Sequence, residues 1–204
     1  MLSRTRRSCR DTMTTMSSCL VYFGTSEGQT AKIAGAVAEH LGGRGIAVEV
    51  VEAPGEVDPS RFDAIVIGDS IHIGHYHRKV LAFIREHGEA LRSKRSAFFS
   101  VCLGASSKND EDRQRARAAV DDMMDKTGWT PDAVAVFAGA LQYSKYGLLT
   151  RFIMKKIAAA EGLATDTSRD YEYTDWGSVA EFSGAVADRL LGESADVGSE
   201  PAIG

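Results

Sequence analysis

The sequence predicts an open, doubly wound α/β fold: a five-stranded parallel sheet with helices on both faces. Three observations carry that prediction. Short apolar runs of strand length alternate with amphipathic segments of helix length. The third run, Phe62 to Gly68, is almost continuously apolar, as a central strand covered on both faces requires. The first run empties into a turn of small hydroxylated residues where a helical pattern begins. Parallel strands need crossover connections, and those place helices on both faces of the sheet.

Taken in order, the first strand begins at about Ser18 and covers Cys19 to Phe23. The turn around Gly24 and Gly28 leads into a helix over Ala31 to Leu41, with Ile33, Ala34, Val37, Ala38 and Leu41 as its apolar stripe and Gly42-Gly43 as its stop. Ile46 to Val51 is the second strand. Pro54 and Pro59 bracket a loop before the third. Val80, Leu81, Phe83, Ile84 and Leu91 mark one helix, and Ala97 to Leu103 forms the fourth strand. Arg113 to Lys126 is a charged amphipathic helix ended at Gly128, Ala133 to Ala138 the fifth strand, and Val179 to Leu191 a closing helix.

Composition narrows the function classes. A chain of 204 residues, 44% hydrophobic, can bury one α/β core, so a single domain over 18–191 is expected. The net charge of −4 argues against general nucleic-acid binding, and no apolar run has the length of a membrane span. Cys9, Cys19 and Cys102 form an odd set without paired spacing, which suits a reducing cytoplasm; Cys19 and Cys102 fall in strands expected to be buried. Residues 1–17 are rich in Arg, Ser and Thr and superficially resemble a transit peptide; a start at Met13 or Met16 accounts for them more simply. The stretch 192–204 lacks periodicity and is expected to be disordered.

The first loop carries the chemistry. A strand feeding a hydroxyl-rich turn at a helix N-terminus presents unpaired N–H groups and the positive end of the helix dipole to an anion. No Lys precedes Thr30 in the manner of a nucleotide-triphosphate loop, and Gly24 and Gly28 are too few for a dinucleotide fingerprint. With no Lys or Arg inside it, the loop suits a terminal phosphate held by neutral donors. Thr25-Ser26-Glu27-Gly28-Gln29-Thr30 resembles the flavodoxin phosphate loop Thr/Ser-x-Thr-Gly-x-Thr, which implies FMN as cofactor. Glu27 departs from that pattern and is expected to turn to solvent. Under the flavodoxin-like strand order 2-1-3-4-5, the loops after strands one, three and four converge at the switch point. Ser70, Ile71, His72, Ile73, Gly74 and His75 would then line the flavin ring with Ser100, Val101, Cys102, Leu103, Gly104, Ala105 and Tyr143.

The second loop, Gly68 to Lys79, holds His72, His75 and His77. Their spacing lacks a helical i, i+4 pair and an obvious carboxylate, so no metal site is read there. Ser70-Ile71-His72-Ile73-Gly74-His75-Tyr76-His77 resembles the Ser-Ile-x-x-Gly-His-Tyr-His segment of flavodoxin-like, quinone-dependent protoporphyrinogen IX dehydrogenases. Ser96 to Val101, Ala138 to Tyr143 and Tyr173-Thr174-Asp175-Trp176 resemble the same family in the same order. The resemblance implies FMN-dependent oxidation of protoporphyrinogen IX to protoporphyrin IX, with menaquinone or ubiquinone as acceptor. Arg78, Lys79, Lys145 and Arg151 are candidate partners for the substrate's propionates. No catalytic acid or base is assigned.

The fifth strand and the closing helix are separated by an insertion, 143–175, whose segment Tyr146 to Ala160 reads as a helix. Leu148, Leu149, Phe152, Ile153 and Ile157 form its apolar face; Arg151, Lys155 and Lys156 make it basic, and no acid occurs between Asp132 and Glu161. Packing of that face on the protein is the expectation from residues alone. The resemblance points instead to contact with an anionic bilayer, hence a peripheral position on the cytoplasmic membrane face. A flavodoxin-type electron carrier, a nicotinamide-dependent quinone reductase and a flavin-free interaction domain stay open as alternatives.

Overall fold

A computed structural model describes residues 17–192 except Ile73, Lys108 and Glu161. The expectations for the residues up to Met16, Cys9 included, and for 193–204 fall outside the described residues. The main sheet is built from β1 (Ser18–Phe23), β2 (Ala47–Glu52), β3 (Ala64–Ser70), β4 (Arg95–Cys102) and β5 (Ala133–Ala138). All its pairings are parallel, in the order β2-β1-β3-β4-β5. The expected order is therefore the observed one.

Period-two alternation divides each central strand between two cores. Cys19, Val21, Phe23, Ala64, Val66, Ala97, Phe99 and Val101 face one side, where α1 (Gln29–Gly43) and α6 (Trp176–Leu191) cover them with Ile33, Val37, Leu41, Val179, Phe182 and Val186. Leu20, Tyr22, Ile65, Ile67 and Phe98 face the other, under α2 (Arg78–Glu86), α3 (Gly88–Ser93) and α4 (Asp110–Thr127), which contribute Val80, Phe83, Ile84, Leu91, Val120 and Met123. Trp129 is fully buried on that second side, its indole N–H donating to Ser96 Oγ at 3.2 Å. Cys19 is buried as expected, and burial pushes its thiol up to about 12, which makes it an inert hydrophobe. Cys102, at the end of β4, is only half-buried.

Several boundaries differ from the sequence expectations for local reasons. α1 runs through Gly42 and Gly43, and the chain turns instead at Gly45, whose φ of 80° suits glycine. Phe62 closes a 3₁₀ turn, Pro59–Arg61, capped by Asp58, so β3 starts later and reaches Ser70. The single helix expected around Val80 to Leu91 is two, broken at His87. The closing helix begins earlier, at Trp176, because the Asp175 side chain accepts from the Gly177 and Ser178 N–H groups.

The insertion is also richer than expected. Besides α5 (Leu148–Ala160) it contains β7 (Tyr171–Glu172), which pairs antiparallel with β6 (Ala140–Leu141) just before the insertion. Leu141, Tyr143, Tyr146 and Ala158 form a small core of their own. The apolar face of α5 does not pack on the protein. Leu148 is 85% exposed, Leu149 74% and Phe152 57%, and Ile153 and Ile157 are exposed too. The packing expectation fails because the tyrosine core takes only the Ala158 side of the helix.

Candidate functional site

The chain leaves β1 toward β2 on one side and enters β3 on the other, so a crevice opens between the carboxyl ends of β1 and β3. Gly24 N–H donates to Gly68 O at 2.9 Å and fixes the start of the first loop against the end of β3. Within the loop, Thr25 Oγ1 accepts from Gly28 N–H at 2.9 Å. Gly28 has φ 96°, a left-handed conformation that frees the start of α1, and no side chain caps the helix there. The first N–H groups of α1 therefore remain available to an anion.

Two buried polar atoms beside this crevice have no partner, Gln29 Oε1 at the start of α1 and Ser70 Oγ at the end of β3. Gln29 is held in place: its Nε2 donates to Thr174 Oγ1 at 2.9 Å, and that hydroxyl donates to Ala138 O at 2.7 Å. An unpaired buried acceptor carries a desolvation penalty that a hydroxyl-bearing ligand would relieve. Thr174 of the Tyr-Thr-Asp-Trp segment thus acts by orienting Gln29.

The expectation of a cradle served only by neutral donors needs correction, because cations reach it from outside the loop. Lys145, expected at substrate, donates from Nζ to Glu27 O at 2.8 Å. His77 Nε2 lies 3.0 Å from Ser26 Oγ, and its Nδ1 lies 2.5 Å from Asp69 Oδ1. Asp69 is fully buried at the end of β3 and also accepts from His77 N–H at 2.9 Å and Ser70 N–H at 2.8 Å. Burial pushes the Asp69 carboxyl up, against three N–H donors that favour its charged form. The hydrogen bond to Asp69 in turn raises His77 above the ordinary imidazole range. Gly24 makes room for this pair, since a Cβ there would lie 2.7 Å from Asp69 Oδ1.

Sequence reasoning missed Asp69 and His77 as site residues. The available signal was a carboxylate inside an otherwise apolar strand, a costly placement unless it is partnered. Glu27 is also corrected: it is partly buried, with its carboxylate 3.7 Å from His72 Nδ1, instead of turned to solvent.

His72 and His75 exchange backbone hydrogen bonds of 2.9 and 3.1 Å around Gly74, whose φ is 78°; Ile73 lies outside the described residues. Ile71 N–H donates to Val101 O at 2.9 Å, tying this loop to the third. Cys102, Leu103, Gly104 and Ala105 are half-exposed and offer surface at the crevice. Ser100 and Val101, expected beside the ring, are buried inside β4. Ser100 Oγ accepts from the buried Tyr76 hydroxyl at 2.8 Å. Tyr76→Phe should therefore lower stability by about 1 kcal/mol, read as a fall of roughly 2–4 °C in thermal melting. Tyr143 is fully buried in the insertion core and donates to Ala164 O at 3.0 Å, so it presents no surface to a ring. Arg78 and Lys79 are exposed on α2, and Arg151 donates to Tyr146 O from α5. Of the four expected substrate cations only Arg78 and Lys79 share an element; Lys145 and Arg151 lie on two others.

Three strand-end loops around a phosphate cradle at a 2-1-3 switch point define a flavodoxin-type protein. The flavodoxin-domain family model matches residues 20–168. The short-chain flavodoxin associated with a bacterial microcompartment has a similar fold, with a TM-score of 0.51 at 14% identity over 88% of this chain and 100% of that one. Within the class, the chain is 38% identical over 170 residues to protoporphyrinogen IX dehydrogenase [quinone] of Escherichia coli K12, covering 82% of this chain and 93% of the relative. It is 30% identical over 173 residues to the enzyme of the same name from Leishmania major, covering 83% and 74%. The chain belongs to the protoporphyrinogen IX dehydrogenase [quinone] family.

Proposed function

We propose that this protein oxidises protoporphyrinogen IX to protoporphyrin IX, with FMN as cofactor and a membrane-dissolved quinone, menaquinone or ubiquinone, as electron acceptor. The observation that carries the reading is the family relationship over nearly the full length of the bacterial relative, together with an intact cradle at the switch point. The residues fit a flavin mononucleotide. Thr25, Ser26, the Gly28–Thr30 backbone and Lys145 would hold its phosphate, and the orphaned Gln29 Oε1 and Ser70 Oγ would take its hydroxyl groups. His72, Gly74, His75, Cys102, Leu103, Gly104 and Ala105 would border the ring. When bound, the flavin supplies the two-electron redox chemistry, and the protein supplies binding, orientation and electrostatics.

Ala105 also borders a groove of about 480 Å³ between α4 and β5, lined by Ala116, Val120, Met124, Val134 and Arg117 among others. Its apolar walls with Arg113 and Arg117, against the one acid Asp121, suit an apolar macrocycle carrying carboxylates. The exposed apolar face of α5, with Arg151, Lys155 and Lys156 on the same helix, supports docking on an anionic bilayer where the quinone resides. The exposed face of α5 thus supports a peripheral position on the cytoplasmic membrane face; no helix among the described residues is long and apolar enough to cross a membrane.

The test is anaerobic: purified yellow protein, protoporphyrinogen IX and a quinone, followed by porphyrin fluorescence. Porphyrin should form only when quinone is present. Quinone reduction by a reduced nicotinamide, with no porphyrin formed, would favour the reductase alternative. No turnover with either donor would favour an electron carrier.

A further inference from the structure

We infer that His77, which lies outside the phosphate loop, aims the Ser26 hydroxyl at the bound phosphate and makes FMN retention depend on its own proton. The inference rests on the FMN reading and goes beyond it, because it assigns a positioning residue and a pH response. Three geometric facts carry it. Asp69, His77 and Ser26 form a continuous chain, with His77 Nδ1 at 2.5 Å from the carboxylate and Nε2 at 3.0 Å from the hydroxyl. Asp69 is fully buried and fixed by two backbone N–H groups, so it holds the ring in one orientation. Ser26 is exposed in the loop that cradles the anion, so its hydroxyl can serve a ligand as well as His77.

The protonation state decides which way that hydroxyl points. As an imidazolium, His77 donates from Nδ1 to Asp69 and from Nε2 to Ser26 Oγ. Ser26 is then the acceptor toward His77 and its own proton is free for a phosphate oxygen. As a neutral ring with its proton on Nδ1, His77 keeps the bond to Asp69, but Nε2 becomes an acceptor and draws the Ser26 proton away. Losing the proton thus removes both a positive charge and a donor from a loop that has no Lys or Arg. The connectivity is that of a hydrolase triad, used here to orient a donor.

The surrounding charges set the direction of the response. Asp69 faces His77 from β3 and Glu27 from the first loop, and both favour the charged ring. Arg78 and Lys79 follow on α2; Tyr22 of β1 interacts with Asp69, and His72 and Lys145 with Glu27. With the acids nearest, the ring stays charged above its ordinary range. Phosphate affinity is therefore highest while the ring is charged and declines as pH rises through the elevated His77 value.

The experiment measures dissociation constants of FMN and of riboflavin, which lacks the phosphate, by flavin fluorescence quenching between about pH 7 and 9.5, where the FMN phosphate stays doubly charged. In the wild type, the preference for FMN over riboflavin should fall roughly tenfold across that window. His77→Asn, which places a favourable N-cap residue at the start of α2, should show a low preference that no longer changes with pH. Ser26→Ala, at an exposed position where loss of one hydroxyl leaves the core untouched, should lose most of the slope. A wild-type preference that is constant with pH, or an unchanged slope in both variants, overturns the inference while leaving the FMN reading intact. Failure to bind either flavin overturns both.

Discussion

Gly68→Ala is expected to lower the melting temperature by roughly 2–12 °C and to empty the crevice of flavin. Gly68 pairs with Phe99 across β3 and β4, and the Phe99 ring lies on it. A Cβ at Gly68 would stand 2.0 Å from Phe99 Cζ and 2.5 Å from both Cε atoms, so the ring would have to leave. Phe99 also meets Phe137 and Phe182, with centroids 5.9 and 6.2 Å away, and those two meet each other at 5.7 Å. Displacing one ring therefore disturbs the packing of β5 and α6 as well. Overpacking of this kind typically destabilises by about 1–3 kcal/mol. The site suffers with the core, because Gly68 O accepts from Gly24 N–H and anchors the first loop.

The second-site variant makes the explanation testable. Phe99→Leu alone leaves a cavity and should itself destabilise. Combined with Gly68→Ala it should recover stability, so that the double variant is better than the two single effects added by about 1 kcal/mol or more. Additive melting shifts would show that the glycine matters for some reason other than the ring.

Much of this architecture was legible because the signals were local. The strand runs and helix stripes follow from periodicity, and Ala133 to Ala138 was located to the residue. The loop proposed to hold the phosphate was legible because Gly28 and its flanking hydroxyls are adjacent in sequence. What stayed hidden depends on pairing across the chain. Asp69 and His77 acquire meaning only when β3 ends beside the first loop, and Lys145 reaches Glu27 only once the insertion folds back. Tyr143 misled for the opposite reason. It is expected among the residues lining the ring, yet the β6–β7 pair draws it into a core that periodicity does not announce. The split between α2 and α3 likewise has no strong sequence mark, since the apolar stripe continues across His87.

Replacing Leu148, Leu149 and Phe152 together by Ser should reduce binding to anionic vesicles at least about a hundredfold. Full burial of one such side chain is worth roughly 1.5–3 kcal/mol, and half of that across three positions already amounts to about 3 kcal/mol. Folding should be little affected, because these side chains are exposed and the insertion core is made by Leu141, Tyr143, Tyr146 and Ala158. The kinetic signature is a split between acceptors. Turnover with a short-chain, water-soluble quinone should be retained, whereas turnover with a long-chain quinone dissolved in vesicles should collapse. Salt should weaken vesicle binding of the wild type, since Arg151, Lys155 and Lys156 supply its electrostatic part. A second copy of the chain could cover the same face, and sedimentation distinguishes the cases. If the wild type self-associates, the variant is monomeric, and neither binds vesicles, the face joins protomers and the membrane proposal fails.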